Sequence, residues 1–402
     1  MKKIMAIAAL LVALMLAPAM AAGDWPQARH DAGHSSVSDS ILVPPLGVVW
    51  QKSLGDHIAA SPVVSNGTLF VANDDENTLF ALDPSTGSRL WAFTSGGAIE
   101  STPAAANGSI VVGSYDGHVY RLDASSGKQL WDFNANSGIY SSPLIYEGKV
   151  FVGTDDGDFY AVDFNNGTSA WSLPHPTQSS PAGAYDKVYI GTVNGTFYCL
   201  DAASGNIVWM YENGDMFHAS PLIYNGTVYD ASRNGTLYAF DAENGKVTWT
   251  YDLGYNVDSS PSIDPTTGTL FIGTYSGHVY AFDSATGALK WTSGPYGPIY
   301  PTIAISGKYL YGATQDGKLF ALDSATGSSL WSYDLGSSAL ASPTISNGIL
   351  YMATMGGNLL AFNQQAGTAT PSPTSSPAAP SPFLDIIVCI AVLSAVCLAK
   401  RR

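Results

Sequence analysis

Eight tryptophans, Trp50, Trp91, Trp131, Trp171, Trp209, Trp249, Trp291 and Trp331, divide the chain at intervals of 41, 40, 40, 38, 40, 42 and 40 residues. A fixed period near 40 marks a stack of like supersecondary units, each unable to bury its apolar face without its neighbours. Other residues keep the same phase. Asp83, Asp123, Asp163, Asp201, Asp241, Asp283 and Asp323 are each followed four residues later by Gly, and four later again by Trp. A proline, usually after Ser or Thr, recurs at 62, 103, 143, 181, 221, 261, 301 and 343.

Each period reads as four short antiparallel strands. Runs such as Thr-Leu-Phe-Val-Ala (68–72) and His-Val-Tyr-Arg-Leu (118–122) carry the β-branched and aromatic enrichment of strands. Asn66-Gly67, Asn107-Gly108, Asn225-Gly226 and Asn347-Gly348 mark one hairpin; Asp116-Gly117, Asp156-Gly157, Asn194-Gly195, Asn234-Gly235 and Asp316-Gly317 mark the next. Both series predict type I′ turns, which need positive φ at two successive residues. Eight sets of first-to-third strands begin near Ser61, Thr102, Ser142, Ser180, Ser220, Ser260, Pro301 and Ser342. The first Trp-bearing strand, around 48–52, precedes any complete set, and no Trp follows the last. The N-terminal strand therefore completes the final unit, closing an all-β, eight-bladed propeller without exposed chain-end edges.

The segments ALDPSTGSRLW, RLDASSGKQLW, AFDAENGKVTW and ALDSATGSSLW resemble the tryptophan-docking repeat of the PQQ-like (pyrrolo-quinoline quinone) propeller family, over roughly residues 46–363. That family includes quinoprotein alcohol dehydrogenases and non-enzymatic BamB-like assembly proteins. The resemblance implies that each Trp stacks between neighbouring blades in a structural role. DWPQARHDAGHSS, at 24–36, resembles the stretch that often precedes the first blade. His30, Asp31 and His34 offer three metal-type ligands without a fourth, so a capping role beside the first blade is expected instead.

Five segments are expected: a signal peptide at 1–21, a lead-in at 22–45, the propeller at 46–366, a Thr/Ser/Pro-rich stalk at 367–382 and a membrane-anchoring or sorting segment at 383–402. Lys2 and Lys3 precede the apolar N-terminal run, and the apolar C-terminal run ends in Lys400, Arg401 and Arg402. The C-terminus resembles the sorting signals of archaeal surface proteins, with Ser-Pro-Phe in place of the commoner Pro-Gly-Phe. Export, with the propeller outside the membrane, follows from these segments. Net charge is −15; setting aside the five basic residues and one acid of the two ends leaves the rest near −19. Such a surface repels nucleic acid and favours cationic partners. Cys389 and Cys397 lie in the tail, which leaves Cys199 alone in the ring and excludes a disulfide framework there. Sequons at Asn66, Asn107, Asn166, Asn194, Asn225 and Asn234 are glycosylation candidates, although hairpin turns already call for Asn at most of them.

Strand alternation places the second-to-third-strand tips and the entries to each blade on one face. The tips carry Asp74, Asp75, Glu76, Asp116, Asp155, Asp156 and Asp316. The entries contribute Glu100, Tyr140, Gln178, His218, Asp258 and Tyr300, which should ring one mouth of the channel. This position changes from blade to blade, as a binding surface would and as an unconstrained loop would. The sequence favours a non-catalytic surface scaffold that binds a protein, peptide or envelope glycan through this acidic face, with no cofactor. The alternative is a PQQ- and calcium-dependent oxidoreductase with a reduced site, using Glu100 or Asp258. Against it stand the missing Cys-Cys pair of the quinoprotein enzymes and the lean blades, none over 42 residues. No Ser-His-Asp arrangement or phosphate-cradling loop stands out.

Overall fold

The computed structural model describes residues 23–364. Strands β1 (Leu46–Ser53), β2 (Val63–Ser65), β3 (Thr68–Asn73), β4 (Thr78–Leu82) and β5 (Arg89–Thr94) set the pattern. β2 to β5 form the first four-stranded antiparallel sheet, and the same order recurs in six further sheets. The eighth holds strands Thr344–Ser346, Ile349–Ala353 and Asn358–Gln364, with β1 as its outer strand. Trp50 of β1 pairs with Ala361 of the chain's last described strand, so the ends close the ring as expected.

The periodic residues now have physical roles. The indole Nε1–H of seven of the eight docking tryptophans donates to a carbonyl of the next blade: Trp50 to Pro84, Trp91 to Ala124, Trp131 to Phe164, Trp171 to Ala202, Trp209 to Ala242, Trp249 to Ser284 and Trp291 to Ser324. The indole face lies against the next blade's repeat glycine. At Gly245 a Cβ would lie 2.5 Å from Trp209, and its φ of +73° disfavours any side chain. The repeat aspartate shapes that same turn: Asp83 Oδ1 accepts from the amides of Ser85 and Thr86, and Gly87 N–H returns to the Asp83 carbonyl. Interblade packing and turn geometry are thus one device repeated round the ring.

The two hairpin series differ. Asn66, Asn107, Asn225 and Asn347 have φ of 48–50° before a positive-φ Gly, as type I′ turns require. In the second series only the glycines of 117, 195, 235 and 317 are positive, and the residues before them are not. Ser114 C=O accepts from Gly117 N–H, and Ser114 N–H donates to His118 C=O, giving a longer turn with one left-handed glycine. The type I′ expectation fails there because Asp116 instead turns its Oδ1 to the His118 amide.

Residues 23–42 thread across the inner strands rather than merely flanking the first blade. Inner-strand amides of Val64, Ala105, Gly183, Ile223, Ile263 and Ile305 donate to carbonyls of Trp25, Pro26, Ala32, Gly33, Ser35 and Ser36. Ser38 Oγ reaches Ile345 C=O in the eighth blade. Asp24 and Trp25 lie beside the first blade, at Asn66 and Val64. His34 and Arg29 bond instead to the carbonyls of Pro221 and Ser220 in the fifth blade, so the capping expectation is corrected. The inner edges have no neighbouring strand, and the lead-in satisfies their amides.

Candidate functional site: the channel mouth

Entry residues from all eight blades line one cavity of about 110 Å³: Ala59, Glu100, Tyr140, Gln178, His218, Asp258, Tyr300 and Leu340. The six polar positions read from the sequence are brought together. Ala59 and Leu340 complete the rim; as apolar residues they gave no chemical signal, although their offset from Pro62 and Pro343 matches that of the other rim residues. One register detail differs. In the seventh blade Thr302 and Ile303 stand where other blades carry Ser/Thr and Pro, and Pro301 falls two positions early.

Below the rim runs a ring of hydroxyls. The backbone amides of Ser61, Thr102, Ser142, Ser180 and Ser220 donate to the hydroxyls of Thr102, Ser142, Ser180, Ser220 and Ser260 on the next blade. Thr302 donates to Ser342, and Ser342 to Ser61, carrying the ring across the chain closure. The recurring Ser/Thr before Pro is therefore an interblade acceptor. Ala28 and Arg29 of the lead-in form the floor. Burial lowers the Arg29 guanidinium to about 9, against the opposing pull of Asp230 and Asp31. Burial also holds the Asp230 carboxyl well above the usual carboxylate range.

The rim is crossed by a hydrogen bond. Tyr140 and Tyr300, on the third and seventh blades and hence diametrically opposed, meet hydroxyl to hydroxyl at 2.7 Å. His218 packs against both rings, with centroids at 6.1 and 5.9 Å. Its Nδ1 lies 3.4 Å from Asp258 Oδ1, and Arg233 Nε is 3.7 Å from the same oxygen. Neither His218 Nδ1 nor Asp258 Oδ1 makes a hydrogen bond, because the contact is too long and misaligned. Burial lowers the His218 imidazole despite Asp258.

Acids dominate the opposite side. Glu100 is raised to about 7 by burial and by Asp155, with His57 opposing. Asp74 rises to about 8 through burial and Glu100, and Asp155 to about 6 through burial, although Gln178 bonds to it at 3.4 Å. Other tip acids brace structure: Asp116 accepts from Gly96 N–H and the Tyr120 hydroxyl, Asp75 pairs with His57 at 3.0 Å, and Asp316 accepts from the Thr314 hydroxyl. All six sequon asparagines are exposed.

With this geometry in view, comparison with known proteins is informative. A family profile described as outer membrane protein assembly factor BamB matches residues 47–137, 103–183, 172–298 and 276–388. The chain belongs to that family. A protein of the same description from Nitrosomonas eutropha is 35% identical over 77 residues, which is 19% of each chain. The chain thus spans about a fifth of that relative in the match. BamB from Moraxella catarrhalis superposes with a TM-score of 0.69 at 20% identity, covering 81% of this chain and all of that one. A europium-containing methanol dehydrogenase gives 0.77 at 16%, covering 85% and 98%. A quinohemoprotein alcohol dehydrogenase from Comamonas testosteroni gives 0.72 at 17%, covering 92% and 85%. At such identities these likenesses establish the fold alone.

The mouth as it stands is small for a quinone with its cation, the cofactor pair of the quinoprotein dehydrogenases. Pockets for drug-sized ligands hold roughly 300–1,000 Å³, several times the cavity found here. Calcium takes about six to eight oxygens, whereas among the described residues no three His, Cys, Asp or Glu side chains are gathered to hold a metal. The Tyr140–Tyr300 bridge also occupies the centre that a planar ring system would need.

Proposed function

We propose that this protein is a non-catalytic scaffold of the cell envelope that docks a protein partner on the face bearing the channel mouth. One observation carries the reading. On a framework whose Trp, Gly, Asp and Ser/Thr positions repeat, the rim position differs between every pair of adjacent blades, and all eight copies face one small cavity. Membership of the family of the outer membrane protein assembly factor BamB supports a partner that is itself a protein. Export and C-terminal anchoring rest on the two terminal segments, which lie outside the described residues. Among the described residues no helix is long and apolar enough to cross a membrane. Glycans at the exposed sequons, were they added, would crowd the opposite face more, since Asn66, Asn107, Asn166 and Asn225 all lie there.

The test is site-specific photo-crosslinking in the native envelope. A photoreactive residue at Gln178 on the rim is expected to yield a discrete protein adduct, and one at Asn107 on the opposite face none. Adducts from Asn107 alone, or from neither, would overturn the reading. A saturable absorbance change with PQQ and Ca²⁺, abolished by Glu100→Gln, would replace it with the oxidoreductase alternative.

A further inference from the structure

We infer that the channel mouth is a receptor for one alkylammonium group, the tip of a lysine side chain presented by the docked partner. The inference rests on the protein-partner reading and names the chemistry of its central contact.

Size comes first. A buried water needs roughly 10–15 Å³ measured in this way, so about 110 Å³ holds a handful of non-hydrogen atoms. That suits a single long side chain and excludes a folded element or a sugar chain. The shape of the charge comes second. Glu100 and Asp258 stand on the second and sixth blades, diametrically opposed across the axis. Between them the Tyr140 and Tyr300 oxygens, joined at 2.7 Å, keep lone pairs free after sharing one proton. The rings of Tyr140, Tyr300 and His218 border the same point and favour a cation over their faces.

Asp258 supplies an independent observation. The Asp258 side chain is 3% exposed and lines the cavity; Tyr275 hydrogen-bonds to its carboxylate, while its Oδ1 has no hydrogen-bond donor. A buried acceptor oxygen short of a donor is costly, and a donor arriving from outside would relieve it. Arg233 Nε, at 3.7 Å, is too far to bond and is itself 41% exposed. Arg29, on the floor, is turned to the Ser220 carbonyl. An ammonium suits the acceptors better than a guanidinium. It is compact, carries three donors on one atom and needs no planar bidentate partner, and the acceptors here stand on blades at different sides of the axis.

Titration calorimetry on the full-length protein tests the assignment with N-acetyl-lysine methylamide, its norleucine and arginine counterparts, and CaCl₂. The lysine probe is expected to bind saturably, at least tenfold tighter than norleucine. Glu100→Gln and Asp258→Asn should each weaken it fivefold or more, with Glu100→Asp recovering part of the loss. Asp132→Asn, on an exposed outer strand, should change nothing. Melting curves establish that each variant is folded. Equal binding of norleucine, a preference for arginine or Ca²⁺, or unchanged affinity in both folded carboxylate variants would overturn the inference. If rim crosslinks persist while the lysine probe fails, only the ammonium assignment falls; if both fail, the protein-partner reading falls with it.

Discussion

At the scale of single residues, stability is concentrated where one blade touches the next. The Trp209 face against Gly245 leaves no room for a methyl group, whereas Gly226, with a similar φ of +75°, has nothing within 4 Å. Gly245→Ala should therefore cost about 1–3 kcal/mol for overpacking, added to backbone strain of about 1–2 kcal/mol that Gly226→Ala would share. Urea denaturation of the two variants separates the terms, and equal losses would show that indole contact contributes nothing. The hydroxyl ring makes a second claim. Ser260→Ala removes the acceptor of the buried Ser220 amide and should cost about 1–3 kcal/mol. Replacement by Thr should cost much less, because the hydroxyl remains.

At the scale of elements, the lead-in is the segment whose role the sequence concealed. It supplies carbonyls to inner strands of six blades, and Trp25, 3% exposed, pins it to Val64. Trp25→Ala should cost about 3–5 kcal/mol. Hydrogen exchange should then accelerate at the amides of Val64, Ile223, Ile263 and Ile305, which donate to the lead-in. Protection that survives the substitution would mean that the inner edges are held by the ring alone. Nothing in DWPQARHDAGHSS has a period or a hydrophobic alternation, so no local rule could place it across the channel. Its course is set by unpaired amides that exist only once eight inner strands stand in a circle.

At the scale of the whole molecule, the distribution of carboxylates predicts an unusual pH profile. Asp83, Asp123, Asp201 and Asp283 are held below the usual range, first by hydrogen bonds from nearby Ser and Thr hydroxyls. Their contribution is present above the ordinary carboxylate range and is lost as pH falls through it. Asp74, Glu100 and Asp155 are raised to about 8, 7 and 6. They bind protons more tightly in the fold than in the unfolded chain, so their contribution is full at low pH and declines as pH rises towards 8. The sum is a stability maximum in mild acid. The urea midpoint should drop between pH 5 and pH 8, and Glu100→Gln should flatten that slope; a steeper slope in the variant would contradict the account.

Much was legible in the chain itself. Period, turn residues and the unpaired first Trp strand determine the eight blades and their closure, because each signal is local and the periodic ones recur round the ring. The same phase located Glu100, Tyr140, Gln178, His218, Asp258 and Tyr300 on one rim. Only the tertiary structure decided that Tyr140 and Tyr300 face each other across the axis, since residues 160 apart become opposed only in a closed ring of eight. It also decided that Asp258 Oδ1 is left without a donor and that Arg29 closes the floor. Repetition encodes what every blade shares; what the blades form together at the axis depends on their simultaneous placement, which no single repeat contains.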